Sequence, residues 1–308
     1  MQAFHADAHS LALPPGHRFP QSKYRMLRER LERDPGPLRL VPAEAASEGE
    51  LALVHTPDYM DAVLLGRLTA AQQREIGFPW SPTMAERSRR SVGATIMAAR
   101  AALTEGVAAN LAGGTHHAYA DKGSGYCVFN DVAVAARLMQ AEWHGSQRRL
   151  LRVLVIDLDV HQGNGTAAIF RDDESVFTFS MHGAKNFPFR KEASDLDVEL
   201  PDGCSDQPYL AALDQALDQV WRRCTPQLAF YLAGADPHEG DRLGRLKLSE
   251  AGLRERDRRV LQQLRERGIP VALSMAGGYG HDLNTTVAVQ VNTLSEAAHS
   301  WAQWRAGR

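Results

Sequence analysis

Leu151-Arg-Val-Leu-Val-Ile-Asp157-Leu-Asp159-Val-His161-Gln-Gly163-Asn164-Gly165 reads as a buried strand that runs straight into polar side chains with metal-ligand chemistry. The apolar run Leu150–Ile156 has the length and the Val, Leu and Ile content of a strand covered on both faces, as in a parallel sheet. If the extended conformation persists to His161, then Asp157, Asp159 and His161, spaced two apart, project together past the strand's C-terminal end. Open parallel sheets build their sites at that end. Two carboxylates and an imidazole suit a divalent ion such as zinc, with one carboxylate standing outside the ligand set.

Other segments repeat the pattern of a strand that delivers chemistry. Val107–Leu111 leads to Gly113-Gly114-Thr115-His116-His117, Leu228–Ala233 to Gly234-Ala235-Asp236, and Pro270–Ala276 to Gly277-Gly278-Tyr279. Gln2–His5, Leu38–Val41 and Val176–Ser180 are further strand candidates, the last ending in Met181-His182-Gly183. Between them lie helices at Ser22–Arg33, from Pro57, at Pro82–Glu105 with Ser81 as N-cap, after Asn130, and at Thr166–Phe170, Gln207–Arg223 and Ser249–Gly268. Ala94, Ala98, Ala99, Ala101 and Ala102 make the Pro82 helix slim enough to lie close on a sheet. Alternation of this kind predicts an α/β fold of three layers, α/β/α, with a mainly parallel central sheet. Four consecutive strand ends then carry His116/His117, Asp157/Asp159/His161, Asp236 and Tyr279. No repeat or linker interrupts the chain, so residues 1–308 are expected to form a single domain.

Composition narrows the function. The 308 residues are 44% hydrophobic and 23% charged, with a net charge of −2, which argues against a broadly nucleic-acid-binding or membrane-attracted surface while leaving room for a local patch. Cys127, Cys204 and Cys224 have neither zinc-finger nor redox spacing and suit a reducing compartment. The N-terminal residues lack the apolar core of a signal peptide, and no run of 18 apolar residues exists to span a membrane. The expected location is the cytoplasm.

Asp159, His161 and Asp236 make a mixed oxygen and nitrogen set with a coordination position left open, the pattern of a catalytic zinc, which acidifies water for attack. A neutral histidine beside it serves as general base and then general acid. Asp157 and Asn164 can each accept a hydrogen bond from one histidine of the pair; a carboxylate raises an imidazole's pKa more than an amide does, so the Asn-partnered histidine is the readier base. Tyr279, on a glycine hinge, can donate to an oxyanion. These parts describe amide hydrolysis. Tyr126 and Phe129 either wall a pocket or belong to the core.

Gly114-Thr-His116-His117, Gly125-Tyr126-Cys127-Val-Phe-Asn130-Asp131, Asp157-Leu-Asp159-Val-His161-Gln-Gly-Asn164-Gly, Gly234-Ala-Asp236 and Gly277-Gly278-Tyr279 resemble the histone deacetylase superfamily in order and spacing. His17-Arg-Phe-Pro20, Lys23-Tyr24 and Asp241-Arg-Leu-Gly244 resemble its class IV-like and bacterial branch. The resemblance implies an arginase-like α/β/α fold with one zinc on Asp159, His161 and Asp236. It pairs His116 with Asp157 and His117 with Asn164, and makes Tyr279 the carbonyl polariser. It also implies a structural potassium or sodium near Asp157 and Ser180, with Met181 contributing, and an acyl-lysine tunnel flanked by Tyr126 and Phe187, with Gly125 and Gly278 at the substrate.

Two departures bear on the substrate. Tyr126 stands where the family commonly has Phe, and the acidic residue that grips a peptide backbone in class I and II members is missing, Phe78-Pro79-Trp80-Ser81 occupying its region. The expected activity is a zinc-dependent deacylase removing an acetyl or longer fatty-acyl group from acyl-lysine in proteins or peptides, or from a small acylated amine such as an acetylpolyamine; the sequence does not size the acyl pocket. A two-manganese ureohydrolase is disfavoured by Asn164, which stands where a second carboxylate would bridge metals. A non-catalytic acyl-binding module is disfavoured by the presence of every reactive group.

Overall fold

The computed structural model describes residues 1–307. Its strands are β1 (Gln2–His5), β2 (Arg39–Pro42), β3 (Val107–Asn110), β4 (Val153–Asp157), β5 (Val176–Gly183), β6 (Leu196–Leu200), β7 (Leu228–Leu232) and β8 (Val271–Ser274). They form one eight-stranded sheet in the order β2-β1-β3-β8-β7-β4-β5-β6, and every pairing is parallel. The helices are α1 (Ser22–Arg33), α2 (Glu48–Leu51), α3 (Pro57–Leu64), α4 (Ala70–Ile76), α5 (Pro82–Glu105), α6 (Asp131–Gln147), α7 (Asn164–Phe170), α8 (Asp206–Arg223), α9 (Glu250–Glu266) and α10 (Leu283–Ala306).

The period of two along each strand divides the core between the faces. Val153 and Val155 of β4 join the apolar cluster under α3, α5 and α6, whereas Leu154 and Ile156 join the cluster under α1, α8, α9 and α10. β4 is buried on both sides, as its composition requires. The alanine-rich α5 packs directly against β1, β3 and β8. Its N-cap Ser81 accepts from the Met84 amide, and Asn130 and Ser249 cap α6 and α9 in the same way.

Several expectations need correction. β4 begins at Val153, since Leu150 is 55% exposed, and it ends at Asp157. The chain then leaves the extended path, so Asp157 turns toward His116 while Asp159 and His161 face a different group. The four chemistry-bearing strand ends are not consecutive along the chain, because β5 and β6 intervene; they are neighbours in the sheet, where β3, β8, β7 and β4 lie side by side. The sequence reading passed over α2, α4 and β6. Leu-Asp-Val-Glu-Leu of β6 alternates inward and outward as an edge strand does, but four charged residues between Lys191 and Asp197 mask it as loop. Among the described residues, no helix is long and apolar enough to cross a membrane.

Beneath the site, the fully buried Arg256 donates to the carbonyls of Leu158 (3.2 Å) and Gly234 (2.7 Å), just past β4 and β7. Asp257 balances its charge at 2.9 Å and also accepts from Tyr231 and Thr293. Through its Nη1 bonds to these two carbonyls, the buried pair ties two strand ends at a fixed separation.

Candidate metal centre and acyl cleft

Asp159, His161 and Asp236 are all buried, with ligand atoms within 4.8 Å of one another. Backbone amides aim the carboxylates: Gly277 N–H donates to Asp159 Oδ2 at 2.8 Å, and Val160 N–H to Asp236 Oδ1 at 2.9 Å. Asp236 Oδ2 is buried without a hydrogen-bond donor and lies 3.2 Å from His161 Nδ1. A buried carboxylate oxygen left this way is costly unless a cation faces it. A Cβ on Gly277 would fall 1.9 Å from that oxygen, so only glycine leaves the space open. The charge balance agrees. Burial and the adjacent Asp159 push the Asp236 carboxyl up, and although burial opposes it, Asp159 and Asp236 raise His161 to about 10. An excess of buried negative charge recruits protons where a divalent ion would serve. The donor set therefore fits a metal of the zinc type.

The His116 and His117 rings lie 4.1 Å apart, and their surroundings differ. His116 Nδ1 donates to Asp157 Oδ2 at 2.6 Å; burial lowers its pKa, but Asp157 and Asp159 outweigh it and bring the ring to about 9. Burial, then the charges of His116 and His161, hold His117 well below the usual histidine range. His117 Nδ1 lies 2.7 Å from Asn164 Oδ1, at the start of α7. The orientation of that amide is fixed from outside. Tyr119 donates to Glu192 at 3.2 Å, so its oxygen accepts from Asn164 Nδ2 at 2.9 Å; Asn164 must then turn its carbonyl to His117, whose Nδ1 carries the proton and whose Nε2 keeps a lone pair.

Tyr279 is clamped rather than hinged. Its amide donates to Asp241 Oδ2 at 2.6 Å, and its carbonyl accepts from Arg242 Nε at 2.9 Å. The buried Lys23 donates to the carbonyls of Ala276 and Gly278, each at 3.2 Å, and sits 5.3 Å from the Tyr279 ring centre. Burial raises the Tyr279 hydroxyl well above the usual tyrosine value, so it stays a proton donor. On the other side, Asp131 accepts from the amides of Gly114 (3.0 Å) and Thr115 (2.8 Å) and holds the loop before His116.

His117, His161 and Tyr279 line the floor of a cleft of about 810 Å³, with Gly125, Tyr126 and Phe187 among its walls. Phe187 meets His117 edge to face at 4.9 Å. Tyr126 takes a left-handed backbone, φ 67°, held by its amide bond to the Ile76 carbonyl at 2.7 Å and backed by the stacked Phe78 at 5.4 Å. A second cavity of about 40 Å³ continues inward past His116, His117 and Tyr279 to Gly113, Gly114 and Tyr24. Gly278 lines neither space. Asp157 and Ser180 are paired in register across β4 and β5, and Ser180 Oγ lies 2.9 Å from His182 Nδ1. Met181 is the next residue of β5.

The sequence reading missed Tyr119, Asp241, Lys23 and Asp131 as parts of this site. The last three lay within quoted motifs, yet nothing in their spacing says that they clamp a loop. It also missed Glu75, an acid at the cleft wall from the unanticipated α4; this side chain is tied to Lys122 at 2.8 Å.

Comparison with known proteins agrees with this geometry. The sequence pattern described as "Histone deacetylase domain" matches residues 17–294. An uncharacterized protein of the cyanobacterium Picosynechococcus is 45% identical over 287 residues, covering 92% of this chain and 93% of that protein. Histone deacetylase 2 of Arabidopsis thaliana is 34% identical over 81% of this chain and 66% of its own length. The human polyamine deacetylase HDAC10 is 33% identical over 82% of this chain, which spans 40% of that protein. In fold, a crystal structure of an HDAC homolog from Aquifex aeolicus superposes with a TM-score of 0.80 at 24% identity, over 97% of this chain and 83% of that one. The match across residues 17–294, a span that includes every segment converging at the cleft floor, makes this chain a member of the histone deacetylase family.

Proposed function

We propose that residues 1–308 act as one catalytic unit, a zinc-dependent deacylase that removes a short acyl group from acyl-lysine in proteins or peptides. The observation that carries this reading is the pairing of a buried Asp159/His161/Asp236 group with two histidines of opposite proton affinity at the floor of one cleft. A zinc ion held by Asp159, His161 and Asp236 supplies Lewis acidity, lowering the pKa of water and polarising a carbonyl. His117 Nε2, neutral and unpaired, takes the proton of the attacking water and returns it to the departing lysine amine. His116, kept protonated by Asp157, adds positive charge beside the developing oxyanion, and the Tyr279 hydroxyl donates to it. Tyr126 and Phe187 flank the acyl-lysine stem.

The inner cavity supports a small acyl group. About 40 Å³ holds roughly three water-sized groups at about 10–15 Å³ each, which favours an acetyl over a longer chain. A structural potassium or sodium near Asp157, Ser180 and Met181 completes the proposal, supported by the facing register of Asp157 and Ser180 and by burial, which holds the adjacent His182 neutral at a pKa of about 4. The three free cysteines suit a reducing compartment, and we assign the enzyme to the cytoplasm.

The test is turnover of matched acetyl-, octanoyl- and myristoyl-lysine peptides and of acetylpolyamines, with zinc content measured on the same samples. Acetyl-lysine should be the preferred member. Tyr279→Phe and His117→Ala should each reduce kcat by on the order of a hundredfold or more. Zinc bound without turnover of any member would sink the reading, and a preference for octanoyl-lysine would sink the assignment of a short acyl group.

A further inference from the structure

The mouth of the cleft carries an unusual concentration of positive charge. Arg18, Arg74, Lys185, Arg242 and Arg245 line it, against one acid, Glu75. Glu75 is already engaged by Lys122 at 2.8 Å. Arg245 and Lys185 share one carboxylate, Asp202, at 3.2 and 4.0 Å. Among the described residues, Arg18 and Arg74 make no ion pair, and Arg242 spends its guanidinium on the carbonyls of Tyr279 and Arg18. The chain as a whole has 35 basic and 37 acidic residues, so this majority is a local arrangement and not a reflection of composition.

The cations also stand in the right place to meet a substrate. Burial raises the pKa of the Tyr126 phenol, and the charges of Arg18 and Arg242 oppose it; Tyr126 is a wall of the cleft. They arise from separate segments, Arg18 ahead of α1, Arg74 on α4, Lys185 after β5, and Arg242 and Arg245 after β7. Cations from four separate segments therefore line one opening. Exposed charges around a low-dielectric cleft focus the field into it and steer ligands of opposite sign.

Resting on the deacylase reading above, we infer that the basic mouth formed by Arg18, Arg74, Lys185, Arg242 and Arg245 selects acyl-lysine peptides whose flanking residues are acidic, and disfavours cationic amines such as acetylpolyamines.

The test uses the zinc-loaded enzyme and acetyl-lysine peptides identical except for two flanking residues on each side, which are Asp, Ser or Lys, together with N-acetylspermidine. The Asp peptide should exceed the Lys peptide by about fivefold to tenfold in kcat/KM, mostly through KM, and the ratio should shrink as salt rises. The double variant Arg18→Glu/Arg74→Glu should bring the ratio to one or below. A separate arm reads binding alone, by fluorescence anisotropy of labelled peptides on zinc-loaded His117→Ala. Asp-over-Lys preference in binding, lost in the charge-reversed form, supports the inference even if no peptide is turned over, an outcome that would sink the deacylase reading instead. Turnover with equal Asp and Lys values, a Lys or N-acetylspermidine preference, or a ratio indifferent to charge reversal would overturn the inference.

Discussion

The floor of the cleft and its mouth are built on opposite principles. At the floor, His116, His117, Asp157, Asp159, His161, Asn164 and Asp236 are all buried, at or just past the ends of adjacent parallel strands, and most of their polar atoms are committed to one partner. At the mouth, Arg18, Arg74, Lys185 and Phe189 are exposed, come from loops and the short α4, and have few partners. The contrast separates two tasks. The groups proposed to react must hold position to a fraction of an ångström, which a sheet edge backed by Arg256 and Asp257 provides. Groups that choose the substrate need reach and charge, and can vary without disturbing the sheet.

That division can be broken at its strongest point. Asp236→Asn, which weakens one anionic ligand, should lower metal content and reduce turnover by on the order of a thousandfold; metal analysis beside kinetics checks it. Normal metal content and activity would remove Asp236 from the ligand set.

A second test concerns the scaffold under the floor. His55 Nε2 accepts from the Asn130 amide at 3.0 Å, and its Nδ1 lies 3.3 Å from the Ala120 carbonyl, a pattern that only a neutral ring satisfies. Burial lowers its pKa from 6.5 to about 4. Between those values the unfolded chain takes up a proton that the fold refuses, so stability is complete above pH 6.5 and is lost progressively as pH falls from there to about 4, by up to about 3 kcal/mol. Urea unfolding at pH 7 and pH 4.5 measures the loss, and His55→Gln should flatten it. An unchanged pH dependence in that variant would assign the loss to other groups.

The floor is supported from outside the cleft by Tyr119, which holds the Asn164 amide at 2.9 Å. Removing its hydroxyl frees the Asn164 amide to flip and leaves His117 without its acceptor. Tyr119→Phe should lower kcat about tenfold with KM nearly constant and shift the acid limb of the kcat profile. A change confined to KM would show that Tyr119 does not set the His117 proton. The smallest effect is expected at Phe189, which is 84% exposed: Phe189→Ala should raise KM about twofold and leave kcat alone, as a steady-state comparison on acetyl-lysine peptide would register.

Much of the floor was legible in the amino-acid order. A run such as Val-Leu-Val-Ile followed by Asp-Leu-Asp-Val-His reads as a two-sided buried strand delivering candidate ligands, and Gly-Thr-His-His and Gly-Gly-Tyr follow strands of the same kind. Local chemistry of that density survives in the chain itself, because strand, turn and ligand are contiguous. The mouth was not legible. Arg18, Arg74, Lys185 and Arg242 lie in unrelated segments and were lost in a net charge of −2, and α4 carries only a weak apolar pattern.

What the sequence determined alone was therefore the parallel α/β architecture, the family resemblance and the candidate side chains that the fold gathers at the cleft floor, all of which depend on neighbours within a few residues. The tertiary structure decided the rest: that β3, β8, β7 and β4 lie side by side although β5 and β6 separate them in the chain, that Tyr279 is clamped by Lys23, Asp241 and Arg242, that Glu192 sets the proton on His117 through Tyr119 and Asn164, and that five cations meet at one opening. Each of these depends on contacts between residues far apart in sequence, and only the closure of the sheet and its covering helices brings them within reach of one another.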